Sequence, residues 1–229
     1  MRKKIKNLFL NLLFPKFCFG CHREGCYLCQ DCKSILELSD FHQILKTEEL
    51  DDLYFSTEYK SPLLKNLIQN FKYQPFIKEL SLSLSSLIIE HFQLLDNPPL
   101  FYREKSNFTL TPVPLEKRRL RWRGFNQAEE IAKKLSEFLE IPLVNDVLIK
   151  KRETLPQVKL SNEERKENVS KAFYCQNQEK IKGKNILLVD DIYTTGSTIK
   201  EAAKVLKTSG AKKIIGIVIA RAKPGQDSV

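Results

Sequence analysis

Asp190 and Asp191 close an apolar run, Ile186-Leu187-Leu188-Val189, and lead into Ile192-Tyr193-Thr194-Thr195-Gly196-Ser197-Thr198. Two adjacent carboxylates at a strand end can accept hydrogen bonds from ribose hydroxyls. A hydroxyl-rich turn with a glycine, opening into a helical pattern, presents backbone N–H groups whose partial positive charge suits a phosphate. The string therefore reads as a site for a phosphorylated ribose. Acids capping an exposed strand end are common, but acids, turn and helix start together exceed what a cap requires.

A second chemistry lies near the N-terminus. Five of the six cysteines fall between positions 18 and 32, as Cys18-x-x-Cys21 and Cys26-x-x-Cys29-x-x-Cys32. Paired Cys-x-x-Cys units aim thiolates at one tetrahedral centre, which suits structural Zn²⁺. A metal also lets a short segment fold with little core of its own. Disulfides, redox thiols and an iron–sulfur cluster are the alternatives, and disulfides fit poorly without an export signal. Cys18, Cys21, Cys29 and Cys32 form the symmetric ligand set and leave Cys26 spare; Cys18, Cys21, Cys26 and Cys29 are the competing set. Cys175 stands alone and reads as a core or half-buried residue.

The third feature is charge. The chain of 229 residues holds 38 Lys and Arg against 28 Asp and Glu, a formal net charge of +10, which favours anionic partners. Lys117, Arg118, Arg119, Arg121 and Arg123 crowd one segment opposed by Glu116 alone, and read as a basic loop that meets a polyanion. Trp122 among them either stacks on a base, as in single-strand binders, or packs against the domain. Packing is the preferred reading.

The elements that must position these residues follow from periodicity. With 42% hydrophobic and 29% charged residues, the chain can bury a core and reads as one α/β domain with a small appendage. Strands are expected at 53–56, 108–114, 144–149, 186–190 and 214–220. Helices are expected from Ser61-Pro62 to Phe71, at 77–95, at 126–138 and at 197–208, with a helical connector over 33–50. Residues 150–172 read as a long loop or short hairpin. Alternating strands and helices imply a parallel sheet whose ligands sit beyond the carboxyl ends of its strands. In Met1 to Phe14, basic residues precede Leu8, Phe9, Leu12 and Leu13. The apolar part is far below the roughly 20 residues of a membrane span, and no small-residue cleavage site follows. An amphipathic helix packed on the protein is expected, with a membrane-surface anchor as the alternative. The expected location is cytoplasmic, with no transmembrane segment.

Val189 to Thr198 resembles the phosphoribosyl-diphosphate (PRPP) motif of type I phosphoribosyltransferases. Three more stretches narrow the likeness: Pro112-Val113-Pro114-Leu115 with Arg121-Trp122-Arg123-Gly124-Phe125-Asn126-Gln127-Ala128, then Arg152-Glu153-Thr154 with Gln157, then Arg165-Lys166-Glu167-Asn168-Val169. With the cysteine pairs, these resemble the ComF family over nearly the whole chain. Tyr193, where most phosphoribosyltransferases carry an aliphatic residue, also fits that family.

The resemblance implies a type I phosphoribosyltransferase fold, a mostly parallel twisted sheet flanked by helices, over 49–229. Residues 1–48 would hold an N-terminal helix, a four-cysteine zinc-binding module and a connector. Thr194, Thr195, Gly196, Ser197 and Thr198 would wrap the 5′-phosphate of PRPP. Asp190 and Asp191 would bind the ribose hydroxyls and help position Mg²⁺ through water. Pro114 and Leu115 would lie in the pyrophosphate loop, with Lys117, Arg118, Arg119 and Arg123 as anion contacts. Arg123 to Gln127 either cap the next helix, Asn126 being a good N-cap, or touch ligand, and the two readings weigh equally. Arg152, Gln157, Arg165 and Asn168 gain a role by analogy alone. None of His22, His42 or His91 lies in these motifs, so no general base is evident.

The implied function is transfer of phosphoribosyl from PRPP to an unknown acceptor, in DNA uptake and natural transformation. The alternatives are a non-catalytic single-stranded-DNA-binding competence factor and a PRPP-sensing regulator. Single-stranded DNA and other DNA-uptake proteins are the implied partners.

Overall fold

The computed structural model describes residues 15–42, 44–151 and 172–222. The amphipathic segment Met1 to Phe14, and Arg152, Gln157, Arg165 and Asn168, lie outside the described residues. In chain order the elements are α1 (Gln30–Ser34), β1 (Asp52–Glu58), α2 (Pro62–Lys72), α3 (Leu80–Leu94), β2 (Phe108–Pro112), α4 (Lys117–Arg123), α5 (Gln127–Leu139), β3 (Leu148–Lys150), β4 (Phe173–Cys175), β5 (Asn185–Val189), β6 (Ile192–Tyr193), α6 (Ser197–Thr208) and β7 (Lys213–Arg221).

The main sheet runs β1-β7-β5-β2, with β6 also on β7, and every pairing is parallel. Leu187 sits opposite Leu110 on one side and Ile215 on the other. Every residue of β5 is buried, as expected of a strand covered on both faces. The period of two then divides the core. Leu187 and Val189 point to the face covered by Leu64, Leu67 and Phe71 of α2, Leu84 and Ile88 of α3, and Ile131 and Leu135 of α5. Ile186 and Leu188 point to the other face, covered by Ile199, Ala202 and Leu206 of α6. Gly216 in mid-β7 fits this packing, since a Cβ there would lie 2.6 Å from Leu53 Cδ1 and 3.1 Å from Ile199 Cδ1.

Helix ends follow local chemistry. Ser61 caps α2 by accepting from the Leu64 N–H, with Pro62 in the first turn. The second expected helix begins at Leu80 rather than Ile77, because the turn before it closes through i,i+3 bonds, the Leu80 N–H donating to the Ile77 carbonyl at 3.1 Å. The basic segment expected as a loop is the helix α4. Glu116 accepts from the N–H groups of Arg118 and Arg119 at 2.9 and 3.3 Å. Gly124, at φ 83°, closes the helix by donating to the Leu120 carbonyl at 2.8 Å.

Two further expectations need correction. The helical connector over 33–50 ends at Ser34, and the described residues beyond it form no helix. Side chains compete for their backbone: Thr47 Oγ1 accepts the Leu50 N–H and Asp52 Oδ1 accepts the Leu45 N–H. The segment is also tied to the edge of β1, the Ser39 N–H donating to the Ser56 carbonyl at 2.9 Å. The strand expected at 144–149 shrinks to β3, which pairs antiparallel with β4 away from the main sheet.

The cysteine segment rests on this core. Phe19, Tyr27 and Leu28 pack against the α2–α3 side, Leu63 of α2 packs against the cysteines, and Lys16 pairs with Glu79 at 2.9 Å.

Candidate functional site

The end of β5 is locked in register by β7. The Asp190 N–H donates to the Ile217 carbonyl, and the Ile219 N–H to the Asp191 carbonyl, both at 3.0 Å. Each acid also folds onto its own turn: Asp190 Oδ1 accepts the Asp191 N–H at 2.9 Å, and Asp191 Oδ1 accepts the Ile192 N–H at 2.7 Å. The chain then turns through Thr194 and Thr195, both exposed, to Gly196 at φ 76°. Gly196 is the N-cap of α6 and has no side chain to satisfy the first-turn N–H groups. A Cβ at Gly196 would also lie 2.4 Å from Cζ and the hydroxyl of Tyr193, which is buried beneath the turn. Thr195 Oγ1 and Ser197 Oγ are 2.7 Å apart, which aligns the hydroxyls over the helix start.

This segment forms one wall of a cavity of about 330 Å³, and Thr194 to Ile199 all line it. The loop after β2 supplies Val113, Pro114 and Leu115, and the end of α2 supplies Lys72 and Tyr73. Of the basic segment, Arg119 and Arg123 reach the wall, whereas Lys117 and Arg118 are exposed and do not line it. With Lys72 and Lys150, four cationic side chains face two carboxylates. The cavity thus suits a multiply charged anion that also carries hydroxyl donors.

Burial and charge set the protonation states. Asp190 is pushed up to about 7, first by burial and then by the neighbouring Asp191 charge, with Lys72 and Lys150 opposing. Burial works to lower the Lys72 ammonium, but the charge and hydrogen bond of Asp191, 2.9 Å away, outweigh it and raise the group. Burial lowers Arg123, and Asp191 offsets part of that. Burial likewise lowers Lys150, which stands 5.3 Å from the Phe173 ring centroid.

Arg123 donates through Nη1 to Gln127 Oε1, while its buried Nε has no partner among the described residues. Asn126 does not cap α5 through its side chain. Its Nδ2 donates to the Val113 carbonyl at 3.0 Å and ties the loop after β2 to the helix start. Gln127 Nε2 reaches the Phe71 carbonyl at 3.2 Å, joining α5 to α2. Trp122 is both packed and open: its ring meets Phe76 edge-on at 4.8 Å, and 59% of the residue is exposed. Sequence reasoning missed Lys72, Tyr73 and Lys150. Lys72 directly follows the buried Phe71 in an apolar helix, and no local pattern marks it as facing β5.

Near the start of α2, the sulfurs of Cys18, Cys21, Cys29 and Cys32 all lie within 4.8 Å of one another. A tetrahedral centre with Zn–S bonds of about 2.3 Å needs sulfurs about 3.8 Å apart, so these four thiols fit a metal such as zinc. The gathered set is the symmetric one, and Cys26 packs beside it. The N–H of Cys29 donates to Cys18 Sγ at 3.4 Å and that of Cys32 to Cys29 Sγ at 3.5 Å. Burial works to raise the Cys18 thiol, but backbone N–H groups of Cys21, Cys29 and Gly20 outweigh it and bring the thiol to about 6. Cys175 is half-buried in β4. No helix among the described residues is long and apolar enough to cross a membrane.

Comparison with known proteins gives one family match and three relatives. The phosphoribosyl transferase domain family matches residues 122–228. The chain is 31% identical over 210 residues to competence protein F of Haemophilus influenzae, across 91% of this chain and 86% of that protein. It is 35% identical over 105 residues to the DNA utilization protein YhgH of Escherichia coli, across 46% of this chain and 45% of that one. Competence protein ComFC of Bacillus subtilis is also 35% identical over 105 residues, across 45% of this chain and 40% of that protein.

Proposed function

The chain belongs to the competence protein F (ComF) family, with a phosphoribosyltransferase fold, and from that premise we propose that it binds PRPP with Mg²⁺ in the cavity at Asp190 and Asp191. One observation carries the reading. The acid pair, the open N-terminus of α6 and a ring of four cations share one cavity of about 330 Å³.

In this reading the N–H groups and hydroxyls from Thr194 to Thr198 hold the 5′-phosphate, and Asp190 and Asp191 accept the ribose 2′- and 3′-hydroxyls. Arg119 and Arg123 bind the pyrophosphate, the unpartnered Nε of Arg123 being a donor for it. Lys117 and Arg118 stand off the cavity wall on α4 and are assigned no contact with the ligand. Two carboxylates, one already paired with Lys72, suit Mg²⁺ held through water, and the ion would supply charge neutralisation at the leaving pyrophosphate. Displacement at C1′ develops oxocarbenium-like charge, which the nearby carboxylates stabilise. Residues 1–48 serve as a structural zinc module and 49–229 as the PRPP-binding unit, in a cytoplasmic protein of DNA uptake whose acceptor is unidentified.

A second reading, single-stranded DNA binding with PRPP as a regulator, is favoured by exposed Trp122 within basic α4. Calorimetry of PRPP with Mg²⁺ tests the first: Asp190→Ala with Asp191→Ala removes binding, and unchanged affinity overturns it. Pyrophosphate release with candidate acceptors separates transferase from binder. For the second, alanine at Arg119, Arg121 and Arg123 weakens salt-dependent oligonucleotide binding, and equal binding removes α4 from that account.

A further inference from the structure

Lys72 belongs to none of the motifs, yet it makes the ion pair to the acid pair. Its Nζ lies 2.9 Å from Asp191 Oδ1, and the two side chains are 24% and 13% exposed. A pair so withdrawn from water loses hydration and side-chain freedom, so its persistence depends on a specific electrostatic need. That need is visible in the turn. Asp190 and Asp191 are adjacent in chain, face one cavity, and are both half-buried. Two carboxylates so placed repel each other unless a cation stands beside them.

Arg123 and Lys150 also feel the charge of the acids, but without the close ion pair that Lys72 makes. Arg123 donates to Gln127, Lys150 stands near the Phe173 ring, and Arg119 lies exposed on α4. Lys72 therefore supplies beside Asp191 the positive charge that a divalent cation would also supply. It sits at the C-terminal end of α2, one residue before Tyr73, on a wall that also carries Arg123. A flexible four-carbon stem lets its point charge move a few ångströms without moving the helix.

We propose that Lys72 is an internal counter-ion, which neutralises Asp191 in the ligand-free protein and transfers to an anionic oxygen of the ligand on binding. The second half rests on the ribose-phosphate reading above. When ribose hydroxyls occupy the acceptor sites of Asp191, the ammonium is released beside Arg123, where a pyrophosphate would lie. A free divalent ion is then kept out until it arrives with the anion.

The test uses the full chain with Lys72→Met and Lys72→Arg, titrated with Mn²⁺ alone by electron paramagnetic resonance and with PRPP–Mg²⁺ by calorimetry. Lys72→Gln, which keeps a donor without charge, replaces Lys72→Met if the latter does not fold. The uncharged variants should bind Mn²⁺ about tenfold more tightly than wild type and PRPP–Mg²⁺ about 10–100-fold more weakly, the span expected for a charge-assisted hydrogen bond. Lys72→Arg should stay near wild type in both. Equal Mn²⁺ affinity in wild type and uncharged variants overturns the counter-ion. Equal PRPP–Mg²⁺ affinity overturns the transfer. If wild type binds no PRPP while the uncharged variants gain Mn²⁺, the counter-ion stands and the ribose-phosphate reading falls.

Discussion

Replacing Gly196 with alanine tests how the turn before α6 is built. Two separate penalties meet at this position. The backbone lies at φ 76°, where an alanine costs about 1–2 kcal/mol relative to glycine. The added Cβ would also stand 2.4 Å from Cζ and the hydroxyl of Tyr193 and 2.6 Å from its Cε2. Tyr193 is only 7% exposed, so its ring has little room to withdraw. Forcing such an overlap costs about 1–3 kcal/mol. Together Gly196→Ala should lower stability by about 2–5 kcal/mol, read by urea unfolding with an unchanged slope. The two parts separate in a double-mutant cycle with Tyr193→Leu, which removes the ring edge that the Cβ would strike. In that background Gly196→Ala should cost only the backbone part, a coupling of about 1–3 kcal/mol. An equal cost in both backgrounds refutes the steric account, and a cost below about 1 kcal/mol in wild type refutes both parts.

Three further outcomes follow from the same geometry. The purified chain should carry about one Zn²⁺; Cys32→Ser should lose it and Cys26→Ser keep it, as metal analysis reads directly. Asp190, facing Asp191, Lys72 and Lys150, is held at about 7 by burial and then by Asp191. The folded chain therefore keeps a proton there that the unfolded chain has lost above about pH 4. Stability of the ligand-free protein should fall as pH rises from about 4 to 7 and then level off, and Asp190→Asn should remove that part of the slope in urea unfolding. Arg123→Ala should weaken binding of inorganic pyrophosphate about tenfold or more in calorimetry, whereas Lys117→Ala, off the cavity wall, should change it less than about twofold.

The chain itself determined whatever is written within about one helical turn or one strand. The apolar run ending in Asp190-Asp191, the glycine turn and the bounds of α6 follow from local caps and periods. The alternation of strands and helices likewise announced a parallel sheet. Local signals can also be masked. Glu116 and Gly124 bracket α4 as cap and stop, but five basic residues between them read as a loop. Other features had no local signature at all. The irregular path after Ser34 depends on its bonds to β1, and the shortness of β3 on its partner being β4 rather than the main sheet. Spacing left two sets of zinc ligands open, and the fold of the turn brings together Cys18, Cys21, Cys29 and Cys32. Above all, the cations of the cavity come from α2, α4 and β3, elements distant in sequence from the acids. Lys72 meets Asp191 because Leu64, Leu67, Ile68 and Phe71 seat α2 on the sheet face above β5. The sequence thus decides which groups form the acid pair and the glycine turn, while the packing of apolar faces decides which charges surround them.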